Sequence, residues 1–153
     1  MRLSKDPDIH GHSHLVDLAC SACGQICPAD ALITTCPACA KVLFARYDLS
    51  AAASDMSPAS LASRPWNLSR YAEILPVQDW TTAPMLGEGG TPLHEAPTLG
   101  REFGFDRLLV KDESLNPTGS FKARGLAMAV ARARELGAVT VAIPSAGNAA
   151  AAM

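Results

Sequence analysis

The chain has 153 residues, of which 48% are hydrophobic, 18% charged and only 5% aromatic. That is enough for one core plus a small appendage, and the balance excludes a disordered chain. A net charge of -2 gives no attraction for nucleic acid or a membrane surface, and no apolar run has the length of a membrane span.

The start, Met1 to Pro7, lacks the apolar core of a signal peptide. A cytoplasmic protein with neither nucleic-acid nor membrane partners is therefore expected. His10, His12 and His14 alternate in a leader spanning residues 1–14, expected to be flexible. They fit either metal ligands or a solvated tail.

Five cysteines fall between residues 20 and 39. Cys20-Ser21-Ala22-Cys23 and Cys36-Pro37-Ala38-Cys39 are two C-x2-C pairs with twelve residues between them. Each pair can wrap a tight turn that points two thiolates at one ion, and two such knuckles complete a tetrahedral zinc site. Zinc would also supply folding free energy that so small a segment cannot draw from a core. A redox C-x2-C would need a strand before it and a helix after it. Here the flanks, Leu15–Leu18 and Val42–Arg46, read as short strands. Residues 15–49 are therefore expected to form a zinc ribbon, with Cys27 either a buried thiol or a substitute ligand.

Residues 50–65, rich in Ser, Ala and Pro, have the composition of a linker. Asn67 can cap a short helix reaching Leu75, with Trp66 and Tyr71 as packing anchors and Pro76 as its stop. Leu86-Gly87-Glu88-Gly89-Gly90-Thr91-Pro92-Leu93 reads as a tight path where backbone approaches something closely. Pro97 to Gly104 reads as a helix closed by glycine.

From residue 108 the pattern is strand, helix, strand, helix. Leu108–Val110 is a short buried strand and Ser120–Leu136 a helix closed by Gly137. Phe121, Val130, Ala133 and Leu136 would lie on its buried side, with Arg132, Arg134 and Glu135 facing water. Val139–Ile143 is a second strand, and Ala149 onward opens another helix. Short links between such elements predict a parallel sheet, with ligands beyond the carboxyl ends of the strands, where the 116–122 and 145–148 turns lie. The last residues, Ala149 to Met153, end inside a helical pattern with no stop signal, which reads as the N-terminal part of a longer protein.

Lys122 sits in the first turn of its helix, where the dipole disfavours a cation. If partly desolvated there, the amine is pushed toward the neutral nucleophile that an imine with an aldehyde cofactor requires. The same helix start offers free N–H groups to an anion. The alternative is a surface lysine on a helix that begins nearby.

Ser120-Phe121-Lys122, set within Glu113–Leu126, resembles the cofactor-lysine motif of the pyridoxal-phosphate enzymes of the tryptophan synthase β-like fold. Ser145-Ala146-Gly147-Asn148 resembles that family's second signature loop. The Gly-Glu-Gly-Gly-Thr-Pro-Leu run, residues 87–93, resembles the entry segment of threonine synthases. A zinc ribbon followed by a step like Tyr47-Asp48-Leu49 occurs in one branch of them. The resemblance covers residues 15–153.

It implies an α/β fold, incomplete here, occupying residues 66–153 behind the ribbon. It implies two cofactors, pyridoxal 5'-phosphate and structural zinc on Cys20, Cys23, Cys36 and Cys39. Lys122 would hold pyridoxal phosphate as a Schiff base and act as the proton-moving base, with Phe121 beside it. Asn148 would bond the cofactor's 3′ oxygen, and Ser145, Gly147 and Ala149 would line the substrate-carboxylate loop. Lys111 would stand near the substrate phosphate, with Thr91 and Ser120 as further substrate contacts. The implied activity is a lyase that turns O-phospho-L-homoserine and water into L-threonine and phosphate. Its substrate would be a small amino acid, and the full-length protein could be a homo-oligomer.

Ala123 departs from the aspartate usual after this lysine in threonine synthases, and Lys122-Ala123-Arg124-Gly125 is compatible with a serine/threonine dehydratase. The family's glycine-rich phosphate loop and the residue facing the pyridine nitrogen lie downstream of residue 153, so the chain alone is expected to be inactive. A reading from another class is a non-catalytic zinc-ribbon module attached to a remnant of the fold.

Overall fold

The computed structural model describes residues 11–153, so His10 lies outside the described residues. The cysteine-rich segment folds as a three-stranded antiparallel sheet with β1 (Leu15–Cys20) between β2 (Ile26–Pro28) and β3 (Leu43–Tyr47). Leu18 stands opposite both Cys27 and Ala45, and Asp17 opposite Arg46, whose guanidinium grips the Asp17 carboxylate through two nitrogens. The strands expected at 15–18 and 42–46 are thus present with boundaries moved by a residue or two.

Ser13 and His14 are tied down before β1 begins. The His14 N–H donates to the Glu73 carbonyl, the Asp48 N–H donates to the His14 carbonyl, and Ser13 Oγ donates to the Leu75 carbonyl. His14 Nε2 lies 2.8 Å from Asp55 Oδ2, so this ring is directed at a carboxylate and away from the thiols.

The stretch expected as linker contains two capped helices, α1 (Leu49–Asp55) and α2 (Pro58–Ser63). Asp48 accepts from the N–H groups of Ser50 and Ala51, and Ser57 and Ser60 form a reciprocal capping box. Alanine-rich composition between two good caps favours helix as much as it resembles a spacer. Arg64, just beyond α2, meets Glu73 through two nitrogens at 2.5 and 2.8 Å, with both side chains out of water.

Asn67 caps a 3-10 segment, Leu68–Ile74, that is kinked at Tyr71. The anchors of this segment are Leu68 and Ala72. Trp66 is 68% exposed and Tyr71 38% exposed, so neither is the buried anchor expected. The core joins Leu68, Ala72, Val77 and Trp80 to Ala127, Met128 and Ala131 of α4 (Lys122–Glu135). Before it, α3 (Pro97–Phe103) ends at Gly104, which adopts the left-handed conformation, as glycine allows.

Helix α4 buries Ala123, Ala127, Met128 and Ala131, a stripe of three alanines and one methionine at helical spacing. The side expected to be buried is rotated: Phe121 is 59% exposed, and Val130, Ala133 and Leu136 are only half-buried. Small side chains let the 68–80 segment approach the helix closely, which the larger residues would prevent. Arg132 and Glu135, expected to face water, are instead mostly covered. Arg132 donates to the Ala29 carbonyl of the cysteine-rich segment, while Glu135 accepts from the N–H groups of Gln78 and Asp79.

The expected parallel sheet is not built among the described residues. The strands β4 (Leu93–Glu95) and β5 (Leu109–Lys111) pair antiparallel with each other, and β5 is exposed where a buried strand was expected. Residues 139–143 carry no ladder, and Val139 is 99% exposed. A β-branched run alone does not make a strand without a neighbour to take its N–H and C=O groups. Helix α5 (Asn148–Ala152) forms as expected and packs against α4. No described helix is long and apolar enough to cross a membrane.

Candidate active site and metal centre

The Sγ atoms of Cys20, Cys23, Cys36 and Cys39 all lie within 4.8 Å of one another. The two knuckles interleave: Cys20 is 3.4 Å from Cys39, and Cys23 is 3.7 Å from Cys36. Backbone N–H groups of Cys23 and Ala22 point at Cys20 Sγ and bring its thiol down to about 6. At Cys39 the Lys41 N–H favours the thiolate, but the thiols of Cys20, Cys23 and Cys36 crowd it and push it up to about 12. Four sulfurs so close cannot all ionise unless a cation sits among them, and a soft, four-coordinate donor set of this kind fits zinc. Cys27 stands apart from the cluster, buried on β2, where burial pushes its thiol up.

Lys122 opens α4 after the turn of Asn116 to Gly119. Gly119 has φ +72, a conformation glycine takes without strain. The lysine side chain is exposed, its Nζ 5.0 Å from the centre of the Phe121 ring. Among the described residues Nζ makes no hydrogen bond or ion pair. Beside it the hydroxyls of Thr118 and Ser120 are shut away from water without a hydrogen-bond partner. An available primary amine and orphaned hydroxyls at the start of a fourteen-residue helix suit an aldehyde cofactor and an anion. These residues fit pyridoxal phosphate.

The turn is held by a network that the residue patterns did not disclose. Arg124, two positions beyond Lys122, reaches the Glu113 carboxylate with Nε at 2.6 Å and Nη2 at 2.8 Å. Thr91 Oγ1 donates to the same carboxylate, as does Asn116 Nδ2. Arg124 is the main cause, with Thr91 and Asn116 adding to it, that the Glu113 carboxyl is held down to about 2. Asn116 is buried and also accepts from the Gly89 N–H. The entry run at 87–93 and the lysine turn are therefore one clamped unit. Glu113 and Arg124 lie eleven residues apart, a spacing that signals no contact by itself.

Among the expected site residues, Thr91 and Lys111 meet directly, Lys111 Nζ donating to the Thr91 carbonyl. Thr91 and Ser120 are buried. The second loop is exposed: the Gly147 N–H donates to Ser145 Oγ at 3.2 Å, and Asn148 begins α5, followed by half-buried Ala149. No hydrogen bond joins Lys122 to Asn148, Thr91 or Lys111 among the described residues.

Known proteins resemble this chain along most of its length. It is 41% identical to the threonine synthase of Methanocaldococcus jannaschii over 134 residues, 88% of the chain and 33% of that protein. It is 40% identical to the threonine synthase of Methanosarcina acetivorans over 136 residues, 89% of the chain and again 33% of the relative. A third threonine synthase, from Synechocystis, is 46% identical over 65% of the chain and 27% of its own length. The chain thus spans about a third of the curated relatives it matches. No solved structure gives a significant match. The family described as "Pyridoxal-phosphate dependent enzyme" matches residues 84–153, which hold the clamped entry run, Lys122 and the 145–148 loop. Residues 84–153 of the chain are thus similar to the pyridoxal-phosphate-dependent enzymes.

Proposed function

We propose that this chain is the N-terminal third of a threonine synthase, a cytoplasmic lyase acting on O-phospho-L-homoserine. The observation that carries the reading is the joint similarity of both halves. The match over 134 of 153 residues leaves out too little chain to have skipped either the cysteine module or the lysine unit. The four thiols bind a structural zinc.

In this reading the Lys122 amine holds the cofactor and moves protons at the substrate's Cα and beyond. Bound pyridoxal phosphate supplies an electron sink, so that phosphate can leave the γ-carbon and water can add at the β-carbon. Asn148 orients the cofactor ring from the start of α5. Ser145, Gly147 and Ala149 receive the substrate carboxylate, and Lys111, Thr91 and Ser120 stand on the substrate side. The Glu113–Arg124 clamp keeps the lysine turn in place while Lys122 itself stays free.

Lys122-Ala123-Arg124-Gly125 is compatible with a second reading, a serine/threonine dehydratase. The complete protein, given O-phospho-L-homoserine and L-threonine in separate assays, decides between them. Equal amounts of phosphate and threonine from the first support the proposal. Formation of 2-oxobutanoate from threonine, with no phosphate released from the ester, overturns it.

A further inference from the structure

Helix α4 is fastened at both ends. At its start the Arg124–Glu113 pair holds the lysine turn. At its end Arg132 Nη1 lies 2.7 Å from Glu135 Oε2, and three parts of the chain meet at this pair. Glu135 Oε1 accepts from the N–H groups of Gln78 and Asp79, which follow the fully buried Val77 of the core. Arg132 Nη2 donates to the Ala29 carbonyl at 2.9 Å. Side-chain exposures of 16% and 11% put the pair mostly out of water, so loss of either partner leaves a poorly solvated charge.

Arg132 bridges an opening and does not merely add to a packed interface. Leu15, Val16, Pro28 and Ala29 on one side, with Gln78 and Leu136 on the other, line an open groove of about 590 Å³. Among the described residues the Arg132–Ala29 contact is the one hydrogen bond between residues 15–47 and α4.

The acceptor side of this contact has little core to hold it. Ala29 follows β2 inside the twelve-residue loop, 24–35, that joins the two C-x2-C pairs. Within this loop only Cys27 is buried, while Ile26 is 45% exposed and Leu32 57% exposed. Strand β2 has three residues and pairs along one edge, with β1. A loop that buries so little takes its order from its ends, and Cys23 and Cys36, which bound it, are two of the four clustered thiols.

We propose that Arg132 is a positioning residue that links the four-thiol site to the lysine helix. With zinc held by the thiols, loop 24–35 is fixed and its Ala29 carbonyl docks Arg132, which steadies the last turns of α4. With zinc lost, the loop loosens, Arg132 loses its acceptor and that end of the helix frays. Lys122 lies ten residues back on the same helix, about 15 Å away at 1.5 Å per residue, so one rigid element carries the effect to the cofactor lysine. The proposal rests on the zinc reading given above and is independent of which substrate the enzyme takes.

Amide hydrogen exchange of the complete protein, measured with zinc bound and after chelation, tests the link. In the parent, chelation should speed exchange in peptides covering residues 122–135 by about fivefold or more, the size of an ordinary coupling between sites. In Arg132→Gln the same peptides should exchange fast from the start and respond little to chelation. Linkage also requires the reverse effect: Arg132 touches no thiol, yet Arg132→Gln should bind zinc about fivefold or more weakly against a competing chelator. Arg134→Gln is the control, because the Arg134 side chain is exposed, and it should hold zinc like the parent. The exchange comparison on the parent needs no variant, so it stands should Arg132→Gln not fold.

Elemental analysis of the same samples separates two failures. A parent protein without zinc overturns the metal site and the link together. Bound zinc whose removal speeds exchange at residues 20–39 but leaves 122–135 unchanged overturns the link alone, as does an Arg132→Gln protein with the parent's zinc affinity.

Discussion

Arg124 and Glu113 form a two-pronged ion pair, 2.6 and 2.8 Å, that fastens the first turn of the lysine helix to the segment before it. The pair is partly screened, with side chains 30% and 24% exposed. Its role is to hold a turn that carries an unpaired lysine.

Replacing Glu113 with Gln should cost the full protein about 1–2 kcal/mol, since a charge-assisted pair is lost and its remaining edge still faces water. The pH dependence has a defined sign. The folded carboxyl titrates at about 2, below the value of about 4.3 in an unfolded chain. Its contribution is therefore present above the unfolded value and is lost as pH falls toward the folded one. Denaturation curves of the Glu113→Gln protein should be flatter than those of the parent between about pH 4.5 and 2. Parallel curves would show that the pair contributes nothing.

Gly90 is the tightest point of the entry run, with φ +62 and Trp66 against it. Gly90→Ala combines backbone strain with a clash into backbone, and should cost more than about 1 kcal/mol. Thermal unfolding checks this, with Gly87→Ala as comparison, because Gly87 also has positive φ (+96) but open space around it. The Gly90 variant should be the less stable of the two.

The four-thiol cluster predicts about one zinc per chain. Elemental analysis should find it in the parent protein and find it lost in Cys36→Ser. Cys27→Ser should keep the metal, because Cys27 lies outside the cluster. A folded, metal-free parent would contradict the zinc site.

The four-thiol cluster was legible because C-x2-C spacing states its own geometry, and β1 and β3 came out where their flanking apolar residues put them. Asn67, Pro97, Gly104 and Gly137 marked element ends for local reasons, through capping groups and positive φ. Local signals were present but outweighed at residues 50–65, where Asp48 and Ser57 are good caps that Ala/Ser/Pro composition disguised. The buried face of α4 was misread because the larger residues were given to the core, whereas close packing against Leu68 and Ala72 selects alanines. Val139–Ile143 has strand composition, but strand formation is a property of pairs. The Glu113–Arg124, Thr91–Glu113 and Thr91–Arg124 contacts cross 11, 22 and 33 residues, and no spacing rule reports those.

Lys122 is the residue we propose to hold the cofactor. The most direct measurement is the visible absorbance of the complete protein titrated with pyridoxal phosphate, beside its Lys122→Ala variant. A saturable band that disappears in the variant, together with loss of phosphate release by about a thousandfold or more, is the predicted result. An equal band in both proteins, or none in the parent, would contradict it.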